Sequence, residues 1–174
     1  MDLTVDVPVE TIPIVNEKTY QTVISQPGLR YSQAETLVKE LMKDENFQSF
    51  SIADRKHIVD RILNEIKGRM MEEIVLLESK KARPDKEVFK FKFAVGEFDM
   101  VVYDPENITS EIYEIKHSTE ACPGQYRNLV DEKKCRETEF QFGHILRKCV
   151  IYRGESRREG EVEYLNVEEY LKGL

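Results

Sequence analysis

Gly96-Glu97-Phe98-Asp99-Met100-Val101-Val102-Tyr103, followed by Glu111-Ile112-Tyr113-Glu114-Ile115-Lys116, decides how this chain folds. Both segments are short, rich in β-branched and aromatic residues, and separated by the turn Asp104-Pro105-Glu106-Asn107. They predict two neighbouring strands. Asp99 falls at the start of the first. Glu114 and Lys116 lie two apart on the second, so their side chains share a face. An isolated Glu-x-Lys is most often an exposed ion pair. Here Ile112, Tyr113 and Ile115 surround it, which predicts a strand buried on both faces, where charges persist only if paired or bound to a metal.

Upstream, Val88, Phe89, Phe91 and Phe93 alternate with Lys90 and Lys92, the pattern of a half-buried strand. The short gaps between the three strands predict an antiparallel meander. Before them, Ser51 or Asp54 opens a long helix. Ile58, Val59, Ile62, Leu63, Ile66, Met70, Ile74 and Leu77 form its apolar stripe. Gly68 sits inside it, where close packing against a neighbour is expected. Lys80, Lys81, Arg83 and Pro84 close it, with cations at the negative end of the dipole. By periodicity Glu73 falls inside the stripe and Glu72 toward its edge.

Downstream, Pro123-Gly124 precedes a predicted helix from about Gln125 to Phe140. Cys149 to Arg153 reads as a strand, Glu155 to Gly160 as a charged turn, and Val162 to Leu165 as a last strand. Asn166 caps a terminal helical turn. The first fifty residues differ. Leu3-Thr4-Val5, Ile12 to Val15 and Tyr20 to Ser25 read as strand pieces, and Pro27-Gly28 as a break. A helix follows with Ser32 as N-cap and Glu35 three residues on, running to about Met42. This block has few core residues and resembles the strand-rich end of a winged-helix domain. The expected organisation is a winged-helix-like remnant with a connecting helix over 1–50 and a second domain over 51–174. The expected fold class is α/β (α+β), a mixed central sheet flanked by helices.

The chain has 174 residues, enough for one domain with a real core, and a net charge of −7 with 34% charged residues. That balance argues against a non-specific nucleic-acid binder with a broad basic face. The three cysteines, Cys122, Cys135 and Cys149, cannot all pair within one chain and lack metal-ligand spacing. With no leader sequence they read as reduced thiols of a cytoplasmic protein. No apolar run approaches the roughly 18 residues that span a membrane. The scattered His57, His117 and His144 do not suggest zinc.

The helix acid, Asp99 and Glu114-x-Lys116, in that chain order, resemble the PD-(D/E)-x-K nuclease superfamily. The helix–three strands–helix–strand order is similar to its restriction-endonuclease-like core. A closer likeness is to the nuclease-like C-terminal domain of prokaryotic AAA-type ATPases. It is carried by Gly68…Glu72, Glu97-Phe98-Asp99 and Glu114-Ile115-Lys116-His117-Ser118. Val150 to Glu155 and Tyr164 to Leu171 extend it, so that it covers about Arg55 to Leu174. It implies Glu72, where periodicity selects Glu73, as the inward acid, and both stay open at this point. Gln125 resembles the Gln that opens the next helix in recombination-type nucleases. As an ordinary first-turn residue it would simply be exposed. Phe98 stands where the family's nominal Pro would precede Asp99.

The expected chemistry is Mg²⁺- or Mn²⁺-dependent cleavage of DNA. Carboxylates suit these hard ions. Asp99 and Glu114 would hold the metal, joined by Glu72 and the Ile115 carbonyl. Lys116 would stabilise transition-state charge or orient water. No Gly-x-x-x-x-Gly-Lys-Ser/Thr loop is present; if the parent protein is an ATPase, as the resemblance implies, that module is expected upstream of this chain. The alternative is a non-catalytic regulatory or recognition domain of an ATPase that keeps the fold.

Overall fold

The computed structural model describes residues 9–15, 19–24 and 27–174. The expected strand piece Leu3-Thr4-Val5 lies outside them. In chain order the elements are strands β1 (Val9–Val15) and β2 (Thr19–Ile24), helices α1 (Pro27–Leu41), α2 (Glu45–Gln48) and α3 (Ile52–Ala82), and strands β3 (Glu87–Lys92), β4 (Glu97–Asp104) and β5 (Thr109–Ile115). A 3₁₀ turn, Pro123–Gln125, leads to α4 (Glu132–Phe142), β6 (His144–Tyr152), β7 (Arg157–Glu159), β8 (Val162–Asn166) and α5 (Val167–Lys172). Among these helices none is long and apolar enough to cross a membrane.

The sheet runs β2-β1-β3-β4-β5-β6-β8-β7. β3, β4 and β5 are the antiparallel meander that the short gaps require. β6 then pairs parallel to β5 through a crossover containing α4, and β8 pairs parallel to β6. The sheet is therefore mixed and flanked by helices, as expected of a restriction-endonuclease-like core. The β1–β2 hairpin lies along the outer edge of β3.

Each face of the sheet carries its own core. Met71, Val75, Leu76 and Leu77 of α3 pack on Met100, Val102, Tyr113, Ile115, Cys149 and Ile151, with Tyr170 of α5 beside them. Leu129, Cys135 and Phe142 cover the other face, over Phe89, Phe91, Phe98, Val101, Ile112 and Val150. β5 is buried on both faces from Ile112 to Ile115, as its sequence predicts.

α3 has 31 residues, about 46 Å at 1.5 Å per residue, longer than any strand beneath it. Its fully buried residues begin at Met71. The preceding turns overhang the sheet and pack against α1. Ser51 caps α3, its side chain accepting from the Asp54 amide.

Several expectations need correction. α1 begins at Pro27, not near Ser32, because proline's fixed φ suits a first helical turn. Ser32 sits inside it, its hydroxyl donating to Gly28 O at 3.3 Å. The helix expected from Gln125 starts at Glu132 instead, where the Asp131 carboxylate accepts from the Lys133 and Lys134 amides. A Cβ on Gly68 would meet nothing within 4 Å, so its role is not close packing. β3 is buried from Val88 to Phe91, Lys90 included, rather than half-buried.

Candidate active site

The register places the carboxyl ends of β3, β5, β6 and β8 and the amino end of β4 at one end of the sheet. The overhanging half of α3 projects past that same end. Between Phe89 and Phe91 the β3–β4 register slips. Phe89 faces Val101 and Phe91 faces Phe98, so Asp99 and Met100 together oppose the single residue Lys90. Such a bulge bends the strand and re-aims its side chains. β4 leaves β5 below the pair Met100–Tyr113. The Asp99 carboxylate replaces the missing ladder partner, its Oδ2 accepting from the Ile115 amide at 2.7 Å.

Lys116 closes this corner. Its Nζ donates to Asp99 Oδ2 at 2.8 Å and to Glu114 Oε2 at 2.5 Å. The two carboxylate oxygens are therefore no further apart than the sum of those distances. Both acids are buried, Asp99 at 6% and Glu114 at 3% exposure. Burial, reinforced by the negative charge of Asp99, pushes the Glu114 carboxyl up to about 7 against the pull of Lys116 and Asn128. Burial alone would lower Lys116, but Asp99 and Glu114 outweigh it and raise the ammonium above its ordinary value.

Asn128 supports Glu114 from the loop before α4. Its Nδ2 donates to Glu114 Oε1 at 2.9 Å and, more weakly, to Glu97 O at 3.4 Å. Its Oδ1 accepts from Lys134 Nζ at 2.5 Å. A neutral amide thus relays a cation on α4 to a carboxylate on β5.

α3 contributes Glu72. Its Oε2 accepts from Lys90 Nζ at 2.8 Å, and Lys90 also lies 3.7 Å from Glu97 Oε1. Burial and then the Asp99 charge raise the Glu72 carboxyl, while Lys90 and Lys116 pull it back. Glu72 is therefore near enough to the strand carboxylates to feel the Asp99 charge. Glu73, one residue on, is buried at 4% exposure, so periodicity correctly marks it as inward. Gln125 is not bonded to Asp99, Glu114 or Lys116. Its amide donates to Ser118 Oγ at 2.6 Å and Glu120 O at 2.8 Å and accepts from the Cys122 amide at 3.0 Å, stapling the loop after β5.

The structure thus gathers Glu72, Asp99, Glu114 and Lys116 and adds Lys90, Asn128 and Lys134, which the sequence reading did not single out. Lys90 carried no signal of this, since its alternation with Phe89 and Phe91, shared with Lys92, reads as the outward half of a half-buried strand. Asn128 and Lys134 act through tertiary contacts that no local pattern announces. Comparison with known protein families, with curated proteins and with solved structures returned no match.

The donor set suits Mg²⁺ or Mn²⁺, which are commonly held by one or two carboxylates with waters completing the shell. Asp99 and Glu114 supply two such acids around one cation, the Lys116 ammonium. Glu72 is engaged by Lys90. Among the described residues no three His, Cys, Asp or Glu side chains converge as a metal cluster.

Proposed function

We propose that this domain is a Mg²⁺- or Mn²⁺-dependent phosphodiesterase acting on DNA, of the PD-(D/E)-x-K kind. The observation that carries this reading is the pair of buried carboxylates, Asp99 and Glu114, held around the Lys116 ammonium at the exposed end of the sheet. Asp99 and Glu114 would hold the ion, with Glu72 as the nearby third acid. A bound metal supplies a more acidic water and positive charge beside the phosphate. The Lys116 side chain is one-third exposed, and its ammonium would serve charge that develops on the phosphate oxygens. Asn128 fixes the orientation of Glu114, and Lys90 fixes Glu72. The likeness to nuclease-like domains of prokaryotic ATPases supports an upstream ATPase module as partner. The free thiols Cys122, Cys135 and Cys149 support a cytoplasmic setting.

A second reading, a non-catalytic regulatory or recognition domain of such an ATPase, draws on one observation. Lys90 and Lys116 already neutralise Glu72, Asp99 and Glu114 in part, so the array is a coherent ion-pair network without metal. Calorimetric titration with Mn²⁺ separates the two. The phosphodiesterase reading expects binding that Asp99→Asn and Glu114→Gln each weaken at least tenfold. A wild-type protein that takes up no Mn²⁺ contradicts it and favours the second reading.

A further inference from the structure

Asn128 holds Glu114, and Asn128 is itself held from α4. Asn128 and Lys134 lie six residues apart, on either side of the helix start. Their neighbours fix them. Leu129 and Cys135 are both buried in the core that covers this face of the sheet, and Cys135 Sγ donates to Leu129 O at 3.3 Å. The Asp131 amide donates to Asn128 O at 3.2 Å, and the Asp131 carboxylate accepts from the Lys134 amide at 3.2 Å. The backbone beneath both side chains is therefore set by the fold. From there Lys134 reaches back to the amide. Its Nζ donates to Asn128 Oδ1 at 2.5 Å and lies 5.5 Å from the centre of the Phe93 ring. Gly96, in the turn between β3 and β4, makes room for it. A Cβ there would stand 2.9 Å from Lys134 Nζ and 3.4 Å from Asn128 Oδ1. Gly96 also has φ 85°, a conformation that favours glycine.

An ammonium only donates and a carboxylate only accepts. Between them one orientation of the Asn128 amide serves both, its oxygen toward Lys134 and its nitrogen toward Glu114 Oε1 at 2.9 Å. Exchanging the two ends would set N–H against ammonium and oxygen against carboxylate. With Oε1 held in this way, Glu114 Oε2 faces Lys116 at 2.5 Å. Without Lys134 the amide is held at one end alone.

We propose that Lys134 is a positioning residue of the metal site, acting through Asn128 to fix the plane of the Glu114 carboxylate. This rests on the phosphodiesterase reading, in which Glu114 is a metal ligand, and goes beyond it by giving a role to a cation on α4. The sign of the effect separates positioning from charge. A cation near the site repels a divalent ion, so its loss by charge alone would tighten Mn²⁺ binding. Lost positioning weakens binding, by roughly 10- to 100-fold where a group that orients a metal ligand is removed.

The test is calorimetric titration of the full chain with Mn²⁺ across a double-mutant cycle, with thermal unfolding of each variant to show that it is folded. Lys134→Met is expected to weaken Mn²⁺ binding about tenfold. Asn128→Ala already lacks the amide, so adding Lys134→Met in that background should cost no further affinity. Lys133→Met removes the same charge from the exposed neighbouring position and should bind as wild type. Wild-type or tighter binding by Lys134→Met overturns the proposal, as does an equal loss in both backgrounds. If wild type binds Mn²⁺ and cleaves DNA, such a result leaves the phosphodiesterase reading intact. The expected coupling in a protein that leaves DNA uncut in Mg²⁺ and Mn²⁺ sinks that reading and keeps the role of Lys134. A wild-type protein that takes up no Mn²⁺ overturns both.

Discussion

At Glu114 burial and charge pull in opposite directions. The carboxyl is held up to about 7 from an ordinary 4.5, so the native state keeps a proton that the unfolded chain releases. Between those values the native state binds more protons, and stability falls as pH rises. In EDTA, urea unfolding at about pH 5 and pH 7.5 should show wild type losing on the order of 1–3 kcal/mol across this window relative to Glu114→Gln. A parallel response of the two proteins would show that Glu114 ionises normally. Asn128 gives a second prediction at this scale. Asn128→Ala frees Glu114 Oε1 from its 2.9 Å bond and should lower Mn²⁺ affinity roughly tenfold with little change in melting temperature. Both acids and Lys116 were legible in the sequence because an apolar strand that contains charges must do something with them. Asn128 was not, since its place depends on how a loop folds back onto β5.

Among the elements, the strands of the meander and the long helix were readable from periodicity, and their boundaries were less so. Pro123-Gly124 looked like a helix start, but the chain makes one 3₁₀ turn there and Asp131 starts α4 with its own cap. The choice between Glu72 and Glu73 has a similar cause. The first half of α3 packs against α1 and the second against the sheet, so one averaged stripe blends two faces. The β4 bulge, which aims Asp99, leaves no local signature, because it is a mismatch between two strands. Two glycines make opposite predictions. At Gly143, with φ 71°, a Cβ would fall 1.8 Å from Ile108 O, so Gly143→Ala should cost roughly 2–4 kcal/mol and lower the melting temperature sharply. At Gly68 the space is open, so Gly68→Ala should raise stability by about 1 kcal/mol. Equal melting temperatures for the two variants would contradict this account of both positions.

For the whole molecule, the mixed sheet buries its strands under α3 and α5 on one face and α4 on the other, leaving one end of the sheet to carry charge. Strand ends, helix overhang and post-strand loops meet there, and every polar group of the proposed chemistry lies at that end. The order helix, three strands, helix, strand was legible because the gaps dictate antiparallel neighbours and a crossover. How β6 and β8 extend the sheet was not, since parallel pairing joins segments distant in sequence.

The central claim is that the Asp99–Glu114–Lys116 corner hydrolyses phosphodiesters with a divalent metal. Conversion of supercoiled plasmid by wild type and Lys116→Ala, in Mg²⁺, in Mn²⁺ and in EDTA, tests it most directly. The account predicts nicking by wild type with either metal, none in EDTA, and at least a hundredfold loss in Lys116→Ala. An intact plasmid in every wild-type reaction, or equal nicking by the two proteins, would contradict it.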